Sequence, residues 1–198
     1  SDSLVIPASS DFAYGTGDFT IEAWIWKDAR PATGETRGIF TQTQSGNDYI
    51  VFKIGSTNNI QATFGSTTIS TTGTLAVDSW NHVAVSRSSN TIKVFLNGIA
   101  SSGSTVSTDF SDTTRDPTIG NYTHSYGSLP YYGYISNLRV TKGEALYTAD
   151  FTPPTTELTA DANTVLLCCQ DSDDPLQEAT GKTITGKGRY EYLNDEEV

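Results

Sequence analysis

The strongest constraint on the fold is an alternation of apolar and polar residues with a period of two, which recurs in short runs along the chain. In the run 19–26, one parity holds the apolar residues Phe19, Ile21, Ala23 and Ile25. The other parity holds Glu22, Trp24 and Trp26. Because neighbouring side chains of a β-strand point to opposite faces, this pattern predicts a strand whose first set of residues faces the core.

Residues typical of turns, chiefly Gly, Ser, Thr and Asn, separate about ten such runs, and no long run has a helical period. The pair Asn97-Gly98 predicts a tight hairpin, because both residues tolerate a positive φ. Ser3–Pro7 predicts an edge strand, and Glu144–Tyr147 predicts one helical turn. The 198 residues suit a single all-β domain, a two-sheet antiparallel jelly-roll sandwich.

The charge balance excludes several classes of partner, because the formal net charge is −11. Such a surface repels phosphate backbones, so we expect no nucleic-acid binding. No stretch approaches the roughly 18 apolar residues of a membrane helix, so we expect no membrane insertion. The sequence contains no Met, so we expect it to be processed or to be a segment of a longer polypeptide.

The C-terminal part of the chain differs in composition from the rest. After Gln170 there are eight acidic residues against three basic ones, with few large apolar residues before Tyr190. We therefore divide the chain into a jelly roll over residues 1–169 and an acidic C-terminal arm over residues 170–198. The arm is expected to pack on a neighbour or to stay mobile.

Two adjacent cysteines, Cys168 and Cys169, end the last predicted core strand. Adjacent strand residues point to opposite faces, and a bond between them would be strained. We therefore expect two separate thiols, one in the core and one partly exposed. The sequence offers too few neighbouring Cys and His residues for a zinc site.

Three parts of the sequence carry a family resemblance: Gly17–Trp24, Trp80–Arg87 with Ile92–Gly98, and Ile119–Asn121 with Gly133–Gly143. Together they resemble the laminin-G-like branch of the concanavalin A-like lectin/glucanase superfamily, over about residues 1–169. The resemblance implies a jelly roll of two packed antiparallel sheets that binds glycans or proteins, often with Ca²⁺ at a rim.

Two further segments, Tyr147–Pro154 and Val165–Gln170, resemble a version found in structural proteins of marine tailed phages. That resemblance implies a place on the virion surface, with other virion proteins and identical subunits as partners.

The superfamily also contains glycoside hydrolases, which need two carboxyl groups across the scissile bond. Glu22 stands alone in its strand, where it is expected to face solvent or a cross-strand partner. His82 lies in a strand and His124 lies in a loop without an acid nearby in sequence, so neither suggests a catalytic triad. We expect no enzymatic activity.

The sequence offers better candidates for ligand binding than for catalysis, and they lie in a connection that is rich in tyrosine. Tyrosine offers a flat surface for stacking on sugars and a hydroxyl for hydrogen bonding. The alternative is that these tyrosines pack against the loop or a neighbouring subunit. The candidate residues are Asn121, Tyr122, His124, Tyr126, Tyr131 and Tyr132, with Asp48 and Tyr49 as a second patch.

Calcium would need oxygen ligands that converge from several loops. Asp18, Asp48 and Asp116 are loop acids of the right type, although the sequence holds no contiguous calcium-binding loop. The leading hypothesis is a non-catalytic surface protein of a tailed phage that adheres to a host cell-surface glycan or receptor. The alternatives are a purely architectural decoration protein without its own ligand and, less favoured, a glycan-degrading hydrolase.

Overall fold

The computed structural model describes residues 3–28, 36–44, 47–124 and 127–187, and it contains sixteen strands in that part of the chain. A 3₁₀ helix spans Ser10–Phe12, and the described residues contain no α-helix. The strands are β1 Ser3–Val5, β2 Phe19–Lys27, β3 Arg37–Gln44, β4 Asn47–Ile54, β5 Asn59–Phe64, β6 Thr67–Thr74, β7 Ser79–Ser88, β8 Thr91–Leu96, β9 Ile99–Ala100, β10 Ser104–Thr105, β11 Thr118–Ile119, β12 Asn121–His124, β13 Gly127–Pro130, β14 Gly133–Lys142, β15 Thr164–Cys168 and β16 Thr185–Lys187.

The strands form two large antiparallel sheets and one hairpin. The first sheet has the order β16-β1-β11-β3-β4-β5-β6. The second has the order β10-β8-β7-β2-β14-β15, with β9 paired to β8, and β12 pairs with β13. The predicted all-β, two-sheet antiparallel sandwich is therefore confirmed, and its central strands belong to distant parts of the sequence.

The core lies between the two sheets and is built by the predicted alternation. Phe19, Ile21, Ala23 and Ile25 of β2 are fully buried and belong to one hydrophobic cluster. Ile60, Ala62 and Phe64 of β5 enter the same cluster from the opposite sheet. The period of two therefore decides which side of each sheet is apolar, and it leaves Glu22, Trp24 and Trp26 on the outer side of the second sheet.

Two local predictions have opposite outcomes. Asn97 and Gly98, with φ of 49° and 81°, connect β8 to β9 in the predicted hairpin. The helical turn predicted at Glu144–Tyr147 is wrong, because the segment is not helical. Its backbone bonds instead to Thr20, whose hydroxyl contacts the Glu144 carbonyl and the Leu146 amide.

The segment after Gln170 contributes to the sandwich in its described part. Strand β16 pairs with the outer side of β1. The prediction that β1 is an edge strand is therefore wrong. Ile184 is buried in the hydrophobic cluster, and Ala179 donates a backbone hydrogen bond to Leu167. Residues 170–187 therefore pack on the sandwich of the same chain, while the rest of the proposed arm, 188–198, lies outside the described residues.

The cysteines are free thiols, as predicted, with Cys168 buried and Cys169 partly buried. The prediction that their side chains point to opposite faces is wrong, because the two Sγ atoms lie 3.7 Å apart. Cys169 has a φ of 61°, which ends the strand pattern at that residue.

A search of the described residues for a helix long and apolar enough to span a membrane finds none.

Candidate functional site

The outer face of the second sheet is covered at one end of β2 and open to solvent near the other. Thr20, Glu22, Trp24 and Trp26 all point to this face, and successive members are about 7 Å apart along the strand. Residues 143–163, between β14 and β15, cross part of this face, and we call them the strap. The strap covers Thr20 and Glu22, borders a cleft at Trp24 and leaves Trp26 near an open surface.

Under the strap, the carboxylate of Glu22 is fully buried, and both of its oxygen atoms accept hydrogen bonds. Arg139, its register partner on β14, donates from Nη2 to Oε1 at 2.6 Å and from Nε to the same atom at 2.9 Å. Oε2 accepts hydrogen bonds from Tyr147 Oη at 2.8 Å and from His82 Nε2 at 3.0 Å. Both carboxylate oxygens therefore have partners within the protein, and the expectation of a cross-strand partner for Glu22 is confirmed.

The protonation of this cluster follows from its contacts. Burial on its own raises the pKa of Glu22, but the hydrogen bond from His82, the Arg139 charge and the Tyr147 hydroxyl outweigh it and lower the pKa overall. Burial and the neighbouring Glu22 charge raise the pKa of Tyr147. Glu22 is therefore a carboxylate and Tyr147 a neutral donor at neutral pH, so the cluster fastens the strap to the sheet.

Aromatic packing fastens the strap further along. Tyr147 and Phe151 stack with ring centroids 3.6 Å apart and planes 4° apart. Phe151 also packs on Phe95 of β8, at 5.5 Å between centroids, and its amide donates to the Gly98 carbonyl. The strap is thus held to the outer face of the sheet by the hydrogen bond from Tyr147 to the buried Glu22 carboxylate and by an aromatic cluster.

Part of the strap itself lines an open cleft of about 540 Å³, which is bounded by Trp24, Asn137 and residues 152–157. Asn137 has a φ of 51°, and its Oδ1 accepts hydrogen bonds from the Leu158 amide and from Gln170 Nε2. These bonds fix one wall of the cleft. The residues of the other wall that face solvent are Thr152, Thr155, Thr156 and Glu157.

Next to the cleft, three aromatic residues lie side by side across three neighbouring strands. Trp26 of β2 is the register partner of Trp80 on β7 and of Tyr134 on β14. The two indole rings meet edge to face, with centroids 6.0 Å apart. Trp80 is 44% exposed and Tyr134 is 67% exposed. We call Trp80, Trp26 and Tyr134 the aromatic row.

The tyrosine-rich connection predicted as the ligand site is divided between buried and exposed positions. Tyr122 is buried with the Lys53 ammonium 5.5 Å from its ring centre. Tyr131 is partly buried and donates its hydroxyl to the Trp26 carbonyl, and desolvation raises its pKa. Tyr132 is 41% exposed, with the Arg37 guanidinium 4.6 Å above its ring.

The structure describes only one of the remaining candidate ligand residues with its contacts. Asn121 is partly buried in β12, where its carbonyl accepts a hydrogen bond from the Thr41 hydroxyl. Tyr126 lies outside the described residues, and so do the side chains of Asp48, Tyr49 and His124. Their part in a binding site stays a prediction.

The loop acids suggested for calcium bond to separate segments. Asp18 accepts a hydrogen bond from the Ser89 amide, and Asp116 accepts one from the Ala8 amide. Among the residues with described side chains, no group of three His, Cys, Asp or Glu residues is placed to hold a metal ion. Asp48 lies outside that set, so calcium stays a prediction without an assigned set of ligands.

Comparison with known protein families shows which superfamily the chain belongs to. The laminin G type model of the concanavalin A-like lectin/glucanases superfamily matches residues 1–149. The chain belongs to this superfamily. No curated protein matches the chain in sequence.

Several solved structures share the fold of this chain at low sequence identity. A Bacteroides ovatus protein for which carbohydrate binding has been proposed superposes with a TM-score of 0.70 at 20% identity. The match covers 93% of this chain and 56% of that protein, so the chain spans little more than half of its length.

Two further structures of similar fold were solved with sugars bound. Domain 4 of an extracellular arabinanase from Geobacillus stearothermophilus, in complex with arabinotriose, has a TM-score of 0.54 at 19% identity over 70% of this chain and 66% of that one. A carbohydrate-binding domain of a Ruminococcus gnavus sialidase, bound to sialyllactose, has a TM-score of 0.55 at 13% identity, over 68% and 80%. At these identities the likeness shows the fold.

The aromatic row of this concanavalin A-like domain was not among the residues selected from the sequence. The available signal was the parity of β2, which places Trp24 and Trp26 on the face opposite the core residues. What the sequence could not supply was the register that sets Trp80 and Tyr134 beside Trp26, from strands about 50 and 110 residues away.

Proposed function

We propose that this domain is a non-catalytic glycan-binding module, and that the aromatic row is its platform for the sugar. The observation that carries the proposal is the exposure of Trp80 and Tyr134 beside Trp26 on a rigid sheet. Exposed aromatic rings present flat apolar surfaces, which suit the apolar faces of sugar rings, and strands hold such rings in place better than loops do. All three tryptophans of the chain lie on this face.

The cleft next to the row supplies polar groups for the sugar hydroxyls. Thr152, Thr155 and Thr156 are exposed along its wall and carry hydroxyls that both donate and accept hydrogen bonds. Glu157 adds a negative charge to the same wall, and the chain as a whole is acidic. We therefore expect a neutral glycan to bind better than a sulfated or carboxylated one of the same backbone.

The proposal that the domain is non-catalytic is supported by the positions of the nearby carboxylates. Glycoside hydrolysis requires two carboxyl groups across the scissile bond, one of which must accept and deliver protons. Among the described residues that line the cleft, Glu157 is the carboxylate. Glu22 is fully buried beneath the strap with both oxygens engaged, so a substrate in the cleft does not reach it.

The place of the domain is proposed from the sequence resemblance alone. Tyr147–Pro154 and Val165–Gln170 resemble segments of marine tailed-phage structural proteins. We therefore place the domain at a virion surface, attached to other virion proteins, where the aromatic row would contact a host cell-surface glycan. The alternative is a purely architectural protein whose row is covered by a neighbouring subunit.

The experiment that tests this proposal compares glycan binding by the wild type and single variants. An array of neutral and acidic polysaccharides identifies a ligand, and calorimetry then measures its affinity for Trp80→Ala and Tyr134→Ala. Truncating a central aromatic contact costs upwards of about 1.4 kcal/mol, so each variant is expected to bind at least about tenfold more weakly.

Matched controls separate the row from other surfaces. Ile99→Ala removes an apolar side chain that is 58% exposed on the β8–β9 hairpin and is expected to leave the affinity unchanged. Tyr132→Ala tests the predicted tyrosine connection. Loss of binding in Tyr132→Ala with full binding in Trp80→Ala would overturn the assignment of the row. If no glycan binds while Trp80→Ala changes the oligomeric state in light scattering, the architectural alternative is correct.

A further inference from the structure

The adjacent thiols of Cys168 and Cys169 are brought together by the backbone at the end of β15. In a regular strand, neighbouring side chains point to opposite faces, which would separate the two sulfur atoms. Here Cys169 has a φ of 61°, and its Sγ turns back to lie 3.7 Å from that of Cys168. A positive φ is rare for a residue with a side chain, so the surrounding structure must hold this conformation.

Hydrogen bonds on both sides of the pair hold it. The Cys169 carbonyl accepts from the Asn137 amide at 2.9 Å. The next residue, Gln170, donates from Nε2 to the Leu158 carbonyl and to Asn137 Oδ1. Cys168 pairs with Leu138 in the sheet and belongs to the hydrophobic cluster. The two thiols are therefore fixed close together by the fold and do not meet by chance.

We propose that Cys168 and Cys169 form a redox-active dithiol site, which closes to a vicinal disulfide when it meets a disulfide oxidant such as oxidised glutathione. The fold has already paired the sulfur atoms, so closing needs a local approach from 3.7 Å to the roughly 2.0 Å of an S–S bond. The two Cα atoms are about 3.8 Å apart across one trans peptide, which is shorter than the usual separation in a disulfide. The ring is therefore strained and easily reduced.

The order of attack follows from exposure. Cys169 is partly exposed, whereas Cys168 is 1% exposed. The hydrogen bond with Cys169, followed by burial, also raises the pKa of the Cys168 thiol. Cys169 is therefore the thiol that meets the oxidant first, and Cys168 acts second.

The reaction balances in two exchange steps. The Cys169 thiolate attacks one sulfur of oxidised glutathione, which forms a mixed disulfide and releases one glutathione thiolate. The Cys168 thiolate then attacks Sγ of Cys169, which breaks the mixed disulfide and releases the second glutathione. The protein loses two protons and two electrons, and the two electrons reduce one oxidised glutathione to two thiols.

The test treats the reduced, full-length protein with excess oxidised glutathione and measures the intact mass and the Cys168–Cys169 peptide. The expected product has lost two hydrogen atoms, carries no glutathione and returns to the starting mass with dithiothreitol. A persistent adduct of one glutathione on Cys169, or two intact thiols that alkylate fully after treatment, would overturn the proposal.

Two variants assign the order of attack. Cys168→Ala keeps the exposed thiol and removes the buried one, so the reaction is expected to stop at the mixed disulfide on Cys169. Cys169→Ser keeps only the buried thiol and is expected to remain unmodified. A glutathione adduct on Cys168 in Cys169→Ser, at the rate seen on Cys169 in Cys168→Ala, would contradict the assignment of Cys169 as the attacking thiol.

Discussion

The buried pair of Glu22 and Arg139 makes the sharpest prediction about stability. Arg139→Met keeps the apolar stem of the side chain and removes the guanidinium that lies 2.6 Å from Glu22 Oε1. Glu22 is completely buried and Arg139 is 13% exposed, so the carboxylate would lose its ionic partner without gaining water. Removing one member of a buried pair costs about 3–5 kcal/mol of the free energy of unfolding.

Thermal and urea unfolding, followed by tryptophan fluorescence, measure this loss. For a chain of this length, about 2–4 °C in Tm corresponds to 1 kcal/mol, so Tm is expected to fall by about 6–20 °C. The double variant Glu22→Gln with Arg139→Met removes the unpaired charge and is expected to recover part of the loss.

The surface pair of Lys182 and Asp11 provides the matched control. Its atoms are 2.8 Å apart, but the side chain of Asp11 is 44% exposed. Asp11→Asn is therefore expected to cost no more than about 1 kcal/mol. A cost below about 1 kcal/mol for Arg139→Met as well would refute the argument that burial makes the Glu22 pair important.

The remaining predictions concern pH, the strap and the C-terminal segment. Because the folded state lowers the pKa of Glu22 below its ordinary value of 4.5, its contribution is complete above that value and is lost as the pH falls through the folded pKa. The difference in unfolding free energy between the wild type and Glu22→Gln should therefore shrink on acidification below pH 4.5, and a difference that grows would contradict this sign. Gly98→Ala should destabilise by more than about 1 kcal/mol in urea unfolding, because φ is 81° and a Cβ atom would overlap the Phe151 carbonyl oxygen. Ile184→Ala should cost about 2–5 kcal/mol if the segment after Gln170 is part of the sandwich, and a neutral effect would restore the independent arm.

The sequence was sufficient for those features that depend on local pattern. The parity of β2 predicts that Phe19 and Ile25 face the core, and Asn97-Gly98 predicts the hairpin, because both follow from backbone geometry within a few residues. The all-β sandwich then follows, because many short strands of this kind can bury their apolar faces only against one another.

The features that the sequence did not reveal depend on contacts between distant segments. Glu22 bonds to Arg139 and Tyr147, which are 117 and 125 residues away. The sequence of β2 alone therefore does not indicate that Glu22 is buried. Composition alone favoured the tyrosine connection, yet Tyr131 is held by a hydrogen bond to the Trp26 carbonyl 105 residues away. The shape of the site depends on register and on the strap, which local patterns do not determine.

The central claim is that the face carrying the aromatic row binds a glycan. Its most direct test is a titration of the isotope-labelled domain with a neutral glycan selected from the array, in which the three indole N–H signals of the chain are followed by NMR. We predict that the signals of Trp26 and Trp80 shift with a common saturation curve, and that the backbone amides of Thr152, Thr155, Thr156 and Glu157 shift with them. Shifts confined to Tyr122 and Tyr131 and their neighbours, with all three indole signals unchanged at saturation, would contradict the claim.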